Sequence, residues 1–269
     1  MASVISALVL NYRCPQETAK CVLALKKQTI ADQLEILVID NHSDDESIGW
    51  LRARFQKDHS INIIESATNC GYGQGNNMGE RFATGEYLLI INPDNPLPPD
   101  ALEKMLAILQ AHPEAGIVGP ALVHPDGSIR PSARPFPHWN DLIAKRLQPE
   151  KWHAQHNASI DTTSTTPIAV DWLVGACLLM KTSLFDELGG FDPRFFLFFE
   201  DIDLCRRCKQ LGKSVLYAPF IRVPDRRQRL SEGGILSLLM KKTTRIHVES
   251  ALKYFWKWKG ENRKIKEAN

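Results

Sequence analysis

The first 124 residues alternate short apolar runs with segments of helical pattern, and few folds accommodate that alternation. Apolar runs of strand length occur at residues 5–11, 34–40, 61–65 and 86–92, and another starts at 117. Helical patterns stand between them at residues 15–28, 47–56, 76–83 and 99–111. Strands that alternate with helices form a mostly parallel sheet covered on both faces. We therefore predict an α/β fold with a Rossmann-like sheet flanked by helices.

The second half of the chain is less regular. Residues 125–171 are rich in Pro, His, Ser and Thr, which predicts a long surface excursion of the kind that often carries function. Strand patterns return at residues 170–181 and 214–218, and a helix before the latter ends at Gly212. We predict one α/β domain at 1–220, in two parts at 1–124 and 125–220, followed by a basic helical segment at 221–269.

The charge and the cysteines exclude several classes of protein. Lys and Arg total 33 against 31 Asp and Glu, a net charge of +2 that gives no reason to expect nucleic-acid binding. The six cysteines lack the spacing of a disulfide framework. The N-terminus lacks a signal-peptide pattern, and no run approaches the ~20 apolar residues of a spanning helix. We expect a cytoplasmic protein, and the sequence does not indicate its oligomeric state.

Polar residues end or follow four of the predicted strands in the first half of the chain. Asn11 ends one strand, Asp40 and Asn41 end a second, the loop at 69–77 follows a third, and residues 92–94, with Asp94, follow a fourth. Ligands of doubly wound sheets bind beyond the carboxyl ends of the strands, so these residues should converge. Each taken alone has an alternative interpretation as a helix cap or a turn residue.

The loop NCGYGQGNNMG at residues 69–79 leads into a helix, whose free N–H groups favour a phosphate or a polar ligand edge. Its glycine spacing differs from the dinucleotide fingerprint, and it follows the third strand instead of the first. The loop therefore predicts polar ligand binding without specifying the ligand.

Asp94 ends a strongly apolar strand. A carboxylate there would suit Mg²⁺ or Mn²⁺, since one carboxylate and the phosphates of a substrate commonly share such an ion. The alternative is that Asp94 caps the turn in NPDNPLPPD.

Three acids, Glu200, Asp201 and Asp203, follow an aromatic run. A helix N-terminus favours the charged form of Asp201, whereas the adjacent phenylalanines disfavour it by desolvation. A carboxylate held between these effects can act as a general base toward a hydroxyl. N-capping is the structural alternative for Asp201 or Asp203.

Five motifs in order resemble the family 2 glycosyltransferases of GT-A fold, especially the bacterial rhamnosyltransferase-like branch that builds surface polysaccharides. The resemblance covers about residues 3–220. It implies that 1–220 is a GT-A catalytic domain, with a nucleotide-binding half at 1–124 and an acceptor-binding half at 125–220. The motifs are DN at 40–41, NCGYGQGNN at 69–77, NPD at 92–94, WLVG at 172–175 and FFEDIDLCR at 198–206.

The resemblance implies an inverting, single-displacement transfer of a sugar, rhamnose being one candidate, from a UDP- or dTDP-sugar to a hydroxyl. The acceptor would be a glycan or a lipid-linked saccharide. It further implies Asp201 as the catalytic base with Glu200 beside it, and Asp94 as the ligand of Mg²⁺ or Mn²⁺. The nucleotide-sugar contacts it implies are Asn11, Asp40, Asn69, Gly71, Asn76, Asn77, Asp94, Trp172 and Gly175. The branch often has basic residues at the positions of Arg130 and Arg134.

One position departs from the family pattern. A histidine usually follows the last strand, and here Asp225 stands about there. Asp225 could ligate the metal, while Arg226 reaches the diphosphate. Alternatively, the metal site is incomplete.

Two other functions compete with transfer. A nucleotidyltransferase should have a glycine-rich, basic signature after the first strand, which is absent here. A non-catalytic nucleotide- or glycan-binding scaffold is favoured by the missing histidine and disfavoured by the retained acids.

The end of the chain is basic, with nine Lys or Arg against three Glu in residues 241–269. Apolar and small residues recur there at helical spacing: Leu239, Thr243, Ile246, Ser250, Tyr254 and Trp258. Lys242, Arg245, Lys253 and Lys257 recur on a neighbouring face. This pattern predicts peripheral binding to an anionic membrane on the cytoplasmic side. The alternative is that the apolar face packs on the catalytic domain.

Overall fold

The computed structural model describes residues 4–139, 160–225 and 242–259. Its helices are α1 (Pro15–Leu25), α2 (Ser47–Phe55), α3 (Tyr72–Glu80), α4 (Ala101–Ala111), α5 (Thr182–Glu187), α6 (Glu200–Gln210) and α7 (Lys242–Lys257). Its strands are β1 (Ile5–Asn11), β2 (Leu34–Asp40), β3 (Ile61–Glu65), β4 (Tyr87–Ile91), β5 (Ala115–Val123), β6 (Ile129–Arg130), β7 (Ala133–Arg134), β8 (Ile168–Val170), β9 (Trp172–Leu173), β10 (Cys177–Lys181) and β11 (Ser214–Pro224).

Nine of the described strands form one sheet. Eight lie in the order β3-β2-β1-β4-β10-β5-β11-β8, and β6 pairs with β5. The pairs among β1 to β4 are parallel, as is the pair of β5 with β11, whereas β10 runs antiparallel to both of its neighbours. The mostly parallel α/β fold predicted from the sequence is confirmed.

The central strands are buried on both faces, which is why their sequences are continuous apolar runs. All seven residues of β1 and all five of β4 are buried. Side chains alternate across the sheet, so that Val9 enters the apolar cluster on one face and Leu8 the cluster on the other. Full burial of one such side chain contributes about 1.5–3 kcal/mol.

The apolar run at 170–181, predicted as one strand, is three short strands. β9 leaves the main sheet to pair with β7, and Cys177 then starts β10 opposite Ile91. Between these strands Gly175 directs its N–H toward Asp201 and away from a sheet partner. This break brings residues 175 and 176 to the same edge as the carboxyl ends of β1, β2 and β4.

The last strand is longer than predicted. β11 continues to Pro224, with a register shift between Ala218 and Arg222. The N–H of Asp225 then bonds to the carbonyl oxygen of Val123 at 2.8 Å. The predicted boundary at residue 220 therefore falls inside a strand, and Asp225 lies at the carboxyl edge of the sheet.

Helix α7 packs against the second half of the chain. Its buried residues Ala251, Tyr254 and Phe255, together with Trp258 directly after it, belong to an apolar cluster shared with the sheet. Ser250, on the face predicted to be apolar, is also buried, and Leu239 lies outside the described residues. In the described part of the chain this face thus follows the alternative interpretation, packing on the catalytic domain. Among the helices described here, none combines the length and apolar character needed to cross a bilayer.

Candidate functional site

Asn11 and Asp40 lie side by side at the ends of β1 and β2. They are register partners, and both are buried. The Nδ2 of Asn11 donates to the Oδ1 of Asp40 at 2.6 Å, and the N–H of Ser43 donates to the Oδ2 at 2.9 Å. The hydroxyl of Thr18 donates to the Oδ1 of Asn11 at 2.8 Å and fixes the orientation of that amide. Asp40 is therefore held as a hydrogen-bond acceptor at the sheet edge.

Asn41 joins the end of β2 to the loop that precedes α3. Its Nδ2 donates to the Oδ1 of Asn69 and to the carbonyl oxygen of Gly71, both at 3.1 Å. Its Oδ1 accepts the N–H of Cys70 at 3.3 Å. The predicted residues Asn69 and Gly71 are thus brought next to Asp40. Asn41 was missing from the predicted ligand contacts, although its place directly after Asp40 is a signal.

The glycines of this loop allow close packing. Gly71 has a φ of 87°, and a Cβ there would lie 2.1 Å from the carbonyl oxygen of Phe196. A Cβ at Gly79 would lie 2.6 Å from the Cδ1 and Cγ1 of Ile39 in the sheet. These contacts bring α3 directly onto the sheet and onto the segment before α6. The helix also starts at Tyr72, four residues before the predicted start.

Asn76 and Asn77, both predicted to contact the nucleotide, are buried in or bound to the scaffold. Asn76 donates to the carbonyl oxygen of Tyr72 at 3.0 Å, and its buried Oδ1 has no hydrogen-bond partner within the described residues. Asn77 binds the backbone of Phe191 twice, donating to its oxygen and accepting its N–H, each at 2.8 Å. Asn77 therefore fixes the chain before α6.

Tyr72 connects the loop to the second half of the site. Its backbone N–H donates to the carbonyl oxygen of Phe196 at 2.8 Å, and its hydroxyl donates to the carbonyl oxygen of Gly175. Burial raises the pKa of the Tyr72 hydroxyl well above its ordinary value, and the charges of Glu200 and Asp201 add to this. Tyr72 thus remains a neutral donor beside the acidic pair. The sequence indicated no such role, because it did not show that Tyr72 starts the helix.

Asp94 lies in the turn after β4, partly buried. The turn is fixed by the N–H of Asn92, which donates to the carbonyl oxygen of Ala176 at 2.8 Å. Burial raises the pKa of the nearby Cys14 thiol, and the charge of Asp94 contributes to that shift. Cys14 in turn contacts the Oδ1 of Asn11 at 3.7 Å. Asp94 therefore lies in a turn that is anchored to Ala176, and its charge acts on Cys14.

Asp201 accepts two backbone hydrogen bonds at the start of α6. The N–H of Gly175 donates to its Oδ2 at 2.9 Å, and the N–H of Ile202 donates to its Oδ1 at 2.8 Å. Burial raises the pKa of Asp201, although these N–H groups and the charge of Arg134 act in the opposite direction. A carboxylate with a raised pKa, each oxygen retaining acceptor capacity, has the character of a general base.

Glu200 is buried beside Asp201, and its Oε2 has no hydrogen-bond partner in the described residues. Burial raises its pKa well above the ordinary value, and the charge of Asp201 raises it further. Both acids therefore have raised pKa values, and burial is the main cause in each case.

The backbone before these acids is strained. Phe198 and Phe199 are both left-handed, with φ of 69° and 68°. A non-glycine residue in this region costs about 1–2 kcal/mol. Such strain persists only where surrounding contacts enforce it, and it occurs here directly before Glu200 and Asp201.

Of Trp172 and Gly175, both predicted to line the sugar pocket, Gly175 contacts Asp201 directly. Trp172 is buried, and its Nε1 donates to the carbonyl oxygen of Pro135 at 2.8 Å. The guanidinium of Arg134 lies 5.6 Å from the centre of the Trp172 ring. A Cβ on Gly175 would lie 3.2 Å from the Cβ of Asp201, so any larger residue would crowd the acid.

Asp225, predicted as a metal ligand, is engaged by a cation. The Nη1 of Arg130 lies 2.9 Å from its Oδ1 and 3.0 Å from its Oδ2. Asn95 donates to its Oδ1 at 3.1 Å, and the Nδ1 of His124 lies 3.8 Å from its Oδ2. Both oxygens of Asp225 thus face Arg130 in a buried ion pair, and its role as a metal ligand stays a prediction.

Asp94 and Asp225 are the two residues predicted to hold a metal ion. The described residues contain no group of three or more His, Cys, Asp or Glu side chains arranged to hold a metal ion. Asp94 alone fits an ion that is shared with the phosphates of a substrate. Arg226, predicted to contact the diphosphate, lies outside the described residues.

The chain is similar to known sugar-transferring proteins. The family described as "Glycosyl transferase family 2" matches residues 6–189. The N-acetylglucosaminyl-diphospho-decaprenol L-rhamnosyltransferase of Mycobacterium tuberculosis is 29% identical over 206 residues, covering 71% of this chain and 66% of the relative. Rhamnosyltransferase WbbL of Escherichia coli is 27% identical over 157 residues, covering 55% of this chain and 58% of WbbL. The matched region thus spans less than two thirds of either relative.

A solved structure shares the fold. The crystal structure of GalNAc-T7 with UDP, GalNAc and Mn²⁺ superposes with a TM-score of 0.65 and 16% sequence identity. The superposition covers 84% of this chain and 44% of GalNAc-T7. At this identity the similarity concerns the fold, which is of the GT-A type.

Proposed function

The chain belongs to glycosyl transferase family 2, in its rhamnosyltransferase-like branch, and from this premise we propose that it transfers a hexose from a nucleoside diphosphate sugar to a hydroxyl of a saccharide. The observation that carries the proposal is the position of Asp201. Gly175 and Ile202 hold its carboxylate at the same sheet edge as Asn11, Asp40 and the turn of Asp94.

The proposed reaction is a single displacement with inversion. Asp201 accepts the proton of the acceptor hydroxyl as the oxygen of that hydroxyl attacks the anomeric carbon. The bond from this carbon to the diphosphate breaks, and the nucleoside diphosphate leaves with the bonding electron pair. Burial supports this role, because it raises the pKa of Asp201 toward the working range of a base.

We assign the nucleotide to the edge formed by β1, β2 and the loop before α3. Asp40, oriented by Asn11, would accept hydrogen bonds from the base of a UDP- or dTDP-sugar. Asn69 and Gly71 would approach the same nucleotide through the loop that Asn41 holds. Trp172 and Gly175 would line the pocket for the transferred sugar, with rhamnose as the first candidate.

We propose that Mg²⁺ or Mn²⁺ accompanies the donor and is held by Asp94 together with the donor's own phosphates. The ion would neutralise the charge that develops on the leaving diphosphate. Support comes from the chemistry of the residue, a carboxylate in a fixed turn at the sheet edge. The fold relative GalNAc-T7 was solved with UDP and Mn²⁺.

We further propose a lipid-linked saccharide as the acceptor and a contact with an anionic membrane on the cytoplasmic side. The name of the mycobacterial relative specifies a sugar carried on decaprenyl diphosphate. The inner face of α7 is buried, so the contact would involve its outer face. There Leu252 is 52% and Trp256 76% exposed, and Arg245 is exposed beside them on the same face. An exposed tryptophan near basic residues suits a lipid interface.

The proposed function is tested by incubating the full-length protein with a panel of UDP-, dTDP- and GDP-sugars and saccharide acceptors. Release of a nucleoside diphosphate that requires an acceptor supports transfer. Binding of UDP or dTDP without any release would instead indicate the non-catalytic scaffold. Consumption of a nucleoside triphosphate with release of pyrophosphate would indicate a nucleotidyltransferase.

A further inference from the structure

We propose that Lys257, on the last turn of α7, is a positioning residue for the base Asp201. This inference rests on the proposed function, and it assigns a role to a helix that lies beyond the family match at residues 6–189. Lys257 contacts neither Asp201 nor the proposed nucleotide site. It acts through the segment that carries the base.

One ammonium group ties together the two ends of that segment. The Nζ of Lys257 lies 2.7 Å from the Oδ2 of Asp192 and 2.6 Å from the Oδ1 of Asp203. Asp192 precedes the strained phenylalanines, and Asp203 lies in the first turn of α6, so the base stands between the two anchors. Burial would raise the pKa of Asp192, but hydrogen bonds from Arg194 and Lys257 outweigh it and hold this pKa below its usual range.

Other residues of α7 hold the strained backbone itself. The hydroxyl of Ser250 donates to the carbonyl oxygen of Leu197 at 2.8 Å. The ring of His247 lies 5.1 Å from the ring of Phe198 and 5.4 Å from that of Phe199, in edge contact with both. The left-handed conformation of the two phenylalanines is therefore covered by α7.

A shift of Asp203 would displace the base Asp201, because both residues lie on the first turn of α6. The side chain of Asp203 is fully buried and two residues from Asp201 on the same turn of α6. Arg207 binds its Oδ2 at 2.8 Å, while Lys257 and the Nε1 of Trp258 share its Oδ1. Without Lys257, one of the two cations on a buried carboxylate is lost, and the link to Asp192 is lost with it.

The consequence is kinetic. A buried ion pair is weak evidence of net stability, whereas it can hold one conformation against others. Loss of this link frees the backbone around Phe198 and Phe199 to relax from its strained conformation. A base displaced by about 1 Å loses on the order of 10²-fold in rate. Donor binding should not change, because the proposed nucleotide site is formed by β1, β2 and α3.

The test compares Lys257→Met with Lys257→Arg and with Lys259→Met, a matched change at an exposed position two residues away. Lys257→Met should lower kcat by roughly 10²-fold with the donor KM unchanged. Lys257→Arg should recover most of the rate, and Lys259→Met should equal wild type. Unchanged kcat in Lys257→Met, or a parallel rise in donor KM, overturns the proposal.

A second readout does not require turnover. Hydrogen exchange of the amides at 196–206 should quicken in Lys257→Met, while the amides of β1 and β2 keep wild-type exchange. If Lys257→Met and wild type exchange equally at 196–206, the positioning role is overturned, even if no acceptor is found. Absence of turnover in wild type counts only against the proposed function. If Lys257→Met does not fold, Asp192→Asn breaks the same link from the other side, and the same two outcomes decide.

Discussion

The backbone N–H of Gly175 donates to the Oδ2 of Asp201 at 2.9 Å. This bond joins the break between β9 and β10 to the first turn of α6, two regions 26 positions apart in the chain. The candidate base thereby lies at the same sheet edge as the turn that contains Asp94. In that turn the N–H of Asn92 donates to the carbonyl oxygen of Ala176. The candidate base and the turn of the candidate metal ligand are thus held by two adjacent residues, Gly175 and Ala176, in the segment between β9 and β10.

Asp94→Ala is expected to weaken UDP or dTDP binding by at least about tenfold when Mn²⁺ is present, because the ion loses its protein carboxylate. Binding in EDTA should change little. Isothermal titration with and without Mn²⁺ measures both. Asp32→Ala, an exposed acid at the opposite edge of the sheet, is the matched control. Equal Mn²⁺-dependent affinity in Asp94→Ala and wild type would remove Asp94 from the metal site.

Asp225→Ala is expected to lower the free energy of unfolding by about 1–3 kcal/mol, since it leaves Arg130 without its partner. The effect should be the same with Mn²⁺ and with EDTA. Urea denaturation measures it, with Asp100→Ala, which breaks an exposed pair with Lys104, as a control near zero. Unchanged stability together with loss of Mn²⁺-dependent nucleotide binding would instead identify Asp225 as a metal ligand.

Glu200→Gln is expected to stabilise the protein increasingly as pH rises. The folded pKa of Glu200 is raised, so above the unfolded value of about 4.3 the folded state binds the extra proton and wild-type stability falls with pH. The slope is about 1.4 kcal/mol per pH unit, up to the folded pKa. Unfolding at about pH 5 and about pH 7 should show the difference between variant and wild type growing. A difference independent of pH would show that Glu200 is ionised in the folded state.

The double variant Leu252→Ser, Trp256→Ser is expected to reduce co-sedimentation with anionic vesicles, because apolar side chains of this size contribute about 1.5–3 kcal/mol each when buried. Binding by wild type should weaken with salt. Trp50→Ser, at a half-exposed tryptophan of α2, is the matched control. Wild type that fails to bind anionic vesicles would exclude the proposed membrane contact.

The strands and the site edge followed from the sequence because their signals are local. Runs such as residues 34–40 identify buried strands, and Asp40 is visible as the polar residue that ends one of them. Parallel strands place their carboxyl ends together, which predicted the convergence of Asn11 with Asp40. In the second half, the helix before Gly212 also had a clear local pattern, whereas the apolar run at 170–181, predicted as one strand, is divided among three.

The remaining features depend on contacts between distant residues. The antiparallel direction of β10 and the break at Gly175 leave no periodic signal. The ion pair of Asp225 with Arg130 left no signal in the sequence, because the two residues are 95 positions apart in the chain. The helical spacing grouped Lys257 with lysines predicted to face solvent or a membrane. In the structure Lys257 forms ion pairs with Asp192 and Asp203. Helical periodicity assigns a face to a residue but does not identify the surface that covers it.

The most direct test of the central claim is the turnover of Asp201→Asn, measured with the donor and acceptor that the panel identifies, alongside UDP or dTDP affinity. The asparagine keeps the shape that Gly175 and Ile202 bind but cannot take a proton at neutral pH. We predict a kcat lowered by about 10²–10⁴-fold with nucleotide affinity close to wild type. A variant that retains wild-type kcat would contradict the account and leave Asp201 as a helix cap.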